Sequence, residues 1–205
     1  MDGTAEAGPC PEGPLAAALQ RLGRDDEDGL TCLSDLILSY PLDPRLHFLK
    51  GSVLAGLQRY TDARVAMARS IEIAPDFALA RFQLGFLDLT SGRALDAIGV
   101  WSPLLLLSEN EPLRVLAEGL INLAADNFSE TRRLLQKGMA LNRDNPLINA
   151  DMQLILDEIA NKPDSSESAR LAQKQKPEEE PAQVSAAHQL LQQYQIKDSI
   201  NTKKS

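Results

Sequence analysis

The sequence predicts an all-α repeat protein, and three observations carry that expectation. Glycines recur at one interval along the 205 residues: 85 − 51 = 34 and 119 − 85 = 34. Prolines keep the same interval, since Pro41 and Pro75 are 75 − 41 = 34 apart. Apolar residues make up 43% of the chain and are mostly Leu and Ala, with aromatics at only 4%, a mixture that suits helices better than strands. A period of this length marks stacked supersecondary units.

Further positions share the period. Ala63 is followed by Ala97, Met67 by Trp101, and Tyr60 by Phe128 two periods on, with Ala94 between them. This pattern resembles the tetratricopeptide repeat, a helix–turn–helix unit of the same length. In that frame Gly51, Gly85 and Gly119 take the small position of the first helix, Ala63 and Ala97 the small position of the second, and Met67 and Trp101 a bulky one. Small residues let two antiparallel helices approach closely. A glycine inside a helix costs about 1 kcal/mol relative to alanine, which packing must offset. Pro41 and Pro75 close the second helices, because proline disfavours helical geometry in the residue before it.

In chain order, residues 1–9 are acidic and rich in Pro and Gly, and are expected to form a flexible start that also takes in Cys10. The solenoid is expected over 10–160. Its first unit, 10–43, has Ala17 where the glycine belongs and Gly29 where the alanine belongs, so it rests on helical pattern and Pro41. Units 44–77 and 78–111 carry the pattern most fully, with Trp101 in the core. The fourth, 112–145, keeps Gly119 but has Thr131 in place of the alanine, and its proline slips to Pro146. Residues 146–160, "PLINADMQLILDEIA", read as one further capping helix. Residues 161–183 are polar, charged and proline-containing, the composition of a disordered linker. In 184–196 the residues Val184, Ala187, Leu190, Leu191 and Tyr194 form a short helical stripe, and 197–205 is expected to be a flexible tail.

The resemblance implies a concave inner wall built from the first helices. Carried onto this chain, the inner positions are Arg45, Phe48, Ser52 and Ala55 in the second unit, then Leu79, Phe82, Phe86 and Leu89, then Leu113, Leu116, Leu120 and Leu123. From Leu79 onward that wall is almost wholly apolar. Some members of the family grip a carboxylate with Lys, Asn and Arg, but the corresponding positions here are Phe48, Ser52, Gln83, Leu113 and Ala117. The expected partner is therefore a protein offering an apolar segment, helical or extended. The partner-binding groove is expected at Phe48, Leu79, Phe82, Phe86, Leu89, Leu113, Leu116, Leu120 and Leu123. The alternative is that the neighbouring helices bury these same residues, as is expected of Leu84, Leu87 and Ile121. Leu190, Leu191 and Tyr194 are candidates for docking back into the groove, since a linker of about 22 residues reaches roughly 26 Å.

The composition points away from other classes. The net charge is −8, and no Lys/Arg stripe with interleaved aromatics appears, so nucleic acid is not expected. No run approaches the roughly 18 apolar residues of a membrane span. The start lacks a basic segment before an apolar core, so no secretory signal is expected. Cys10 and Cys32 form no metal-type pair, and a reduced, cytoplasmic setting fits. "RDDEDG", residues 24–29, fails as a calcium loop because Arg24 takes the first ligand position; it reads as a solvated turn with helix N-terminal acids. His47 and His188 are far apart, and no phosphate loop, nucleophile elbow or zinc spacing is present. No enzyme, cofactor or metal is expected. An adaptor is the first expectation. A substrate chaperone resembling those of type III secretion, to which "YPLDPRLHFLKGSVLAGLQRY" is similar in layout, is the second. A self-associating scaffold, including a homodimer, is the third.

Overall fold

The computed structural model describes residues 8–163, and among them every regular element is helical. The helices are α1 (Glu12–Leu22), α2 (Asp26–Ser39), α3 (Pro44–Gly56), α4 (Tyr60–Ile73), α5 (Ala78–Thr90), α6 (Ala94–Trp101), α7 (Pro112–Ala124), α8 (Phe128–Leu141) and α9 (Pro146–Glu158). A 3₁₀ segment, Ser102–Leu106, follows α6. Consecutive helices pair as α1/α2, α3/α4, α5/α6 and α7/α8, each pair stacks on the next, and α9 packs on α8. This is a helix–turn–helix solenoid of tetratricopeptide type.

The period is visible in the backbone. First helices from α3 onward begin at 44, 78, 112 and 146, three steps of 34, and second helices at 26, 60, 94 and 128, again three steps of 34. Pro44, Pro112 and Pro146 open their helices, where the missing N–H removes no helical bond. The turns inside the second, third and fourth pairs each contain one left-handed residue: Gln58 (φ 61°), Gly92 (φ 77°) and Asp126 (φ 53°), also 34 apart.

The small residues do what close packing requires. A Cβ on Gly51 would lie 2.6 Å from Met67 Cγ, and one on Gly119 would lie 2.8 Å from Leu135 Cδ2. In the first pair the close approach passes to the second helix. There a Cβ on Gly29 would lie 2.8 Å from the Cα of Leu22. That swap explains why the first unit departs from the pattern and still folds. In the fourth pair Thr131 is fully buried, and its hydroxyl donates to the Asn127 carbonyl at 2.9 Å, so the polar side chain is satisfied within its own helix.

One helix departs from the repeat, and one residue from the sequence reading. Helix α6 has only 8 residues, against 14 in α2, α4 and α8. Pro103 lacks the N–H an α-helix would need there, and the chain tightens into the 3₁₀ turn. Cys10, assigned to a flexible start, is instead 2% exposed and joins Leu15, Ala18, Leu33 and Leu46 in one apolar cluster. The physical reason is a tether. The Cys10 N–H donates to Asp43 Oδ2 at 2.8 Å, and Arg45 Nη2 donates to the Cys10 carbonyl at 2.7 Å.

Candidate protein-interaction surface

The first helices place the predicted wall residues in two groups. On α3, Arg45, Phe48, Ser52 and Ala55 are all half-buried. Phe48 makes an edge contact with Phe77, ring centroids 5.2 Å apart, at the head of α5. On α5, Leu79, Phe86 and Leu89 are half-buried, and so is Leu123 at the end of α7. These five predicted residues keep part of their surface in solvent.

The other four do not. Phe82 is 1% exposed, Leu113 8%, and Leu116 and Leu120 0%. They belong to the core cluster that contains Trp101, Ile148, Met152 and Leu156. Helix α5 packs directly on α7, and the α9 residues Ile148, Met152 and Leu156 close over the same core. The positions expected to line a wall are here buried in part by the second helix of their own pair, Leu116 against Gly138 of α8. Phe82 lies under Phe86, near-parallel at 6.5 Å, and beside Trp101 at 6.2 Å. Leu84 and Leu87 are buried and Ile121 is half-buried. Leu190, Leu191 and Tyr194 lie outside the described residues.

Phe77 was missed. It precedes α5 rather than sitting on it, and only the ring contact with Phe48 brings it to the surface that α3 and α5 share.

Two charge networks fix the geometry beneath this surface. Asp43 is 1% exposed and caps α3. It accepts the Arg45 backbone N–H at 2.9 Å and the Cys10 N–H, and it pairs with the Arg45 guanidinium at 2.9 Å. Burial alone would raise its pKa, but the hydrogen bonds from Arg45 and Cys10 outweigh it, and the carboxyl is held below its ordinary value. Glu12 joins from α1, 2.7 Å from Arg45. The second network centres on Asp88 of α5, fully buried, whose Oδ1 accepts from Arg64 (2.9 Å) and Arg93 (2.6 Å). It ties α4 and α5 to the start of α6 and leaves Asp88 Oδ2 without a hydrogen-bond partner.

A cleft of about 730 Å³ opens between α2 and α4 across α3. Its polar lining includes Glu27, Asp35, Lys50, Arg59 and Arg69. Lys50 is held by Ser34 Oγ at 3.1 Å, and His47 Nε2 lies 2.9 Å from the Pro41 carbonyl. Cations and acids mix here; the Lys50 contact ties α3 to α2, and the His47 contact serves the turn before α3. Residues 24–29 behave as a helix start: the Asp25 side chain accepts the Asp28 N–H at 2.9 Å. Among the described residues no group of three or more His, Cys, Asp or Glu is placed to hold a metal ion. No described helix is long and apolar enough to cross a membrane.

No protein-family model matches this chain, and no curated protein matches it in sequence. Solved structures match it in fold. The MamA fragment from residue 41 to the end, from Desulfovibrio magneticus RS-1, superposes with TM-score 0.54 at 17% identity, covering 81% of this chain and 97% of that one. A double mutant of the RS-1 MamA gives 0.54 at 16%, covering 73% and 93%. A crystal structure of MamA gives 0.53 at 16%, covering 63% and 77%. At these identities the likeness carries the helical-repeat fold alone, and it lends nothing to the resemblance to type III secretion chaperones.

Proposed function

We propose that the protein is a non-catalytic adaptor that holds an apolar segment of another protein against the face shared by α3 and α5. The observation that carries this reading is the edge contact between Phe48 and Phe77. It joins the first helices of two successive units into one apolar strip, continued by the half-buried Leu79, Phe86 and Leu89. Each apolar anchor buried there contributes about 1.5–3 kcal/mol before ordering costs. Three anchors therefore support micromolar binding at best. The strip is shorter than the sequence implied, because Phe82, Leu113, Leu116 and Leu120 are spent on the core.

The test is affinity capture with quantitative mass spectrometry, comparing the wild type with the Phe48→Asp, Leu89→Asp double variant. One or a few proteins should be lost from the variant while its helical circular dichroism is unchanged. Those proteins should then bind the purified wild type directly, at least about tenfold more tightly than the variant. Identical capture by both proteins would remove the α3/α5 strip as the binding surface.

A further inference from the structure

Helix α9 ends the described solenoid, and its outward face is unlike an end cap. The last unit of a stacked array normally turns a polar face to water. Here Leu147 is 81% exposed and Leu154 69%, with exposed Ala150 between them. The spacing 147, 150, 154 places all three on one side of the helix. It is the side opposite Ile148, Met152 and Leu156, which are buried against the preceding unit.

The repeat gives these positions meaning. One period earlier, on α7, stand Leu113 (147 − 34), Leu116 (150 − 34) and Leu120 (154 − 34), which are 8%, 0% and 0% exposed. There neighbouring elements bury them, Leu116 against Gly138 of α8. The α9 stripe holds the same repeat positions one step later, with no described helix upon it.

The charges around the stripe say what chemistry fits. Asp151 lies on one side, equivalent to the buried Ala117 (151 − 34) of α7. Asp157 and Glu158 flank the C-terminal end, both exposed. Lys162 offsets Glu158 alone, through an exposed pair at 2.9 Å. A second copy of this stripe would bring these acids against one another, and like charges meeting across an interface oppose association. Residues 184–196, the other apolar stripe in the chain, contain neither Lys nor Arg.

We infer that the outer face of α9 docks an amphipathic helix of another protein whose apolar stripe is flanked by Lys or Arg. Leu147 and Leu154 seat the partner's apolar residues, and Asp151, Asp157 and Glu158 receive the flanking cations. This surface is separate from the α3/α5 strip and does not depend on it.

The probe is a fluorescent synthetic peptide of about 18 residues, with Leu at helical 3/4 spacing and Lys on both flanks, long enough to hold a helix on a surface. A second peptide carries Glu in place of Lys. Anisotropy with the full-length protein should show saturable binding of the Lys peptide, with the Glu peptide at least about tenfold weaker. Leu147→Ser with Leu154→Ser, both at exposed sites, should weaken it at least about tenfold. Asp151→Asn with Asp157→Asn should weaken it less and flatten its salt dependence. Phe48→Asp should leave it unchanged, which separates failure of this inference from failure of the adaptor reading. Binding indifferent to the Leu147/Leu154 change, or equal for the two peptides, overturns the inference. So does a dimer in light scattering that dissociates with the same two substitutions, since the occupant would then be a second copy. Tight binding of the Lys peptide that appears only when residues 184–196 are scrambled would assign the face to the chain's own segment, and also overturns it.

Discussion

Replacing Gly85 by alanine tests how closely the two helices of the third pair approach. A Cβ at this site would lie 2.2 Å from Trp101 Nε1, 2.4 Å from Cε2 and 2.7 Å from Cδ1. These atoms belong to a rigid ring that is itself 0% exposed, so no flexible side-chain end can swing aside. The ring must shift, and its Nε1 would lose the 3.0 Å bond it donates to the Phe82 carbonyl. Overpacking costs about 1–3 kcal/mol. A buried donor left unpaired costs about 1–3 kcal/mol more. Alanine returns about 1 kcal/mol of helix propensity. The net expectation is a loss of about 3 kcal/mol, which lowers the melting temperature by roughly 6–12 °C in a domain of this size. Gly99→Ala is the control: it lies in α6 with nothing within 4 Å of its added Cβ, and it should gain up to about 1 kcal/mol. Urea unfolding followed by helical circular dichroism and by the fluorescence of Trp101, the sole tryptophan, reads both. A Gly85→Ala protein within about 0.5 kcal/mol of wild type would refute the packing argument.

Further expectations follow from the same contacts. Gln58→Gly and Asp126→Gly, at left-handed turn positions, should each stabilise by about 0.5–1 kcal/mol in thermal unfolding, because the strain relieved exceeds the added chain entropy. Asp43→Asn should cost about 2–3 kcal/mol at neutral pH. The Asp43 carboxyl is held below its ordinary value when folded, so its contribution is complete above the unfolded value of about 3.9 and is lost as pH falls through the folded one. The gap between wild type and Asp43→Asn in melting temperature should therefore narrow below about pH 4. The Cys10 thiol is buried and its pKa is raised, first by that burial and then by Asp43. Iodoacetamide should modify Cys32 before Cys10 in the native protein, and both equally in urea. Phe82→Asp should unfold the third pair, whereas Phe48→Asp should leave the helical signal intact; equal loss in both would mean that the α3/α5 strip is core too.

The repeat was legible because close helix approach needs a small residue at a fixed place in each unit. Gly51, Gly85 and Gly119 carry that requirement in the chain itself, and the helix starts at Pro44, Ala78, Pro112 and Pro146 follow the same interval. The early end of α6 is also written locally, in Pro103. The candidate surface was less legible. Phe82 and Phe86 are the same residue type on one helix, four apart, yet one is sealed and the other reaches solvent. Cys10 looked like part of a loose start until Asp43, 33 residues on, accepted its N–H.

By itself, then, the sequence determined the class of fold, the length of the unit and where its helices begin, because helix geometry and close crossing depend on residues a few positions apart. Which apolar side chains became core, which remained a surface, and which helix turns an apolar face outward among the described residues were decided only in three dimensions. Burial depends on what packs from the next unit, and no local spacing records whether a next unit is there.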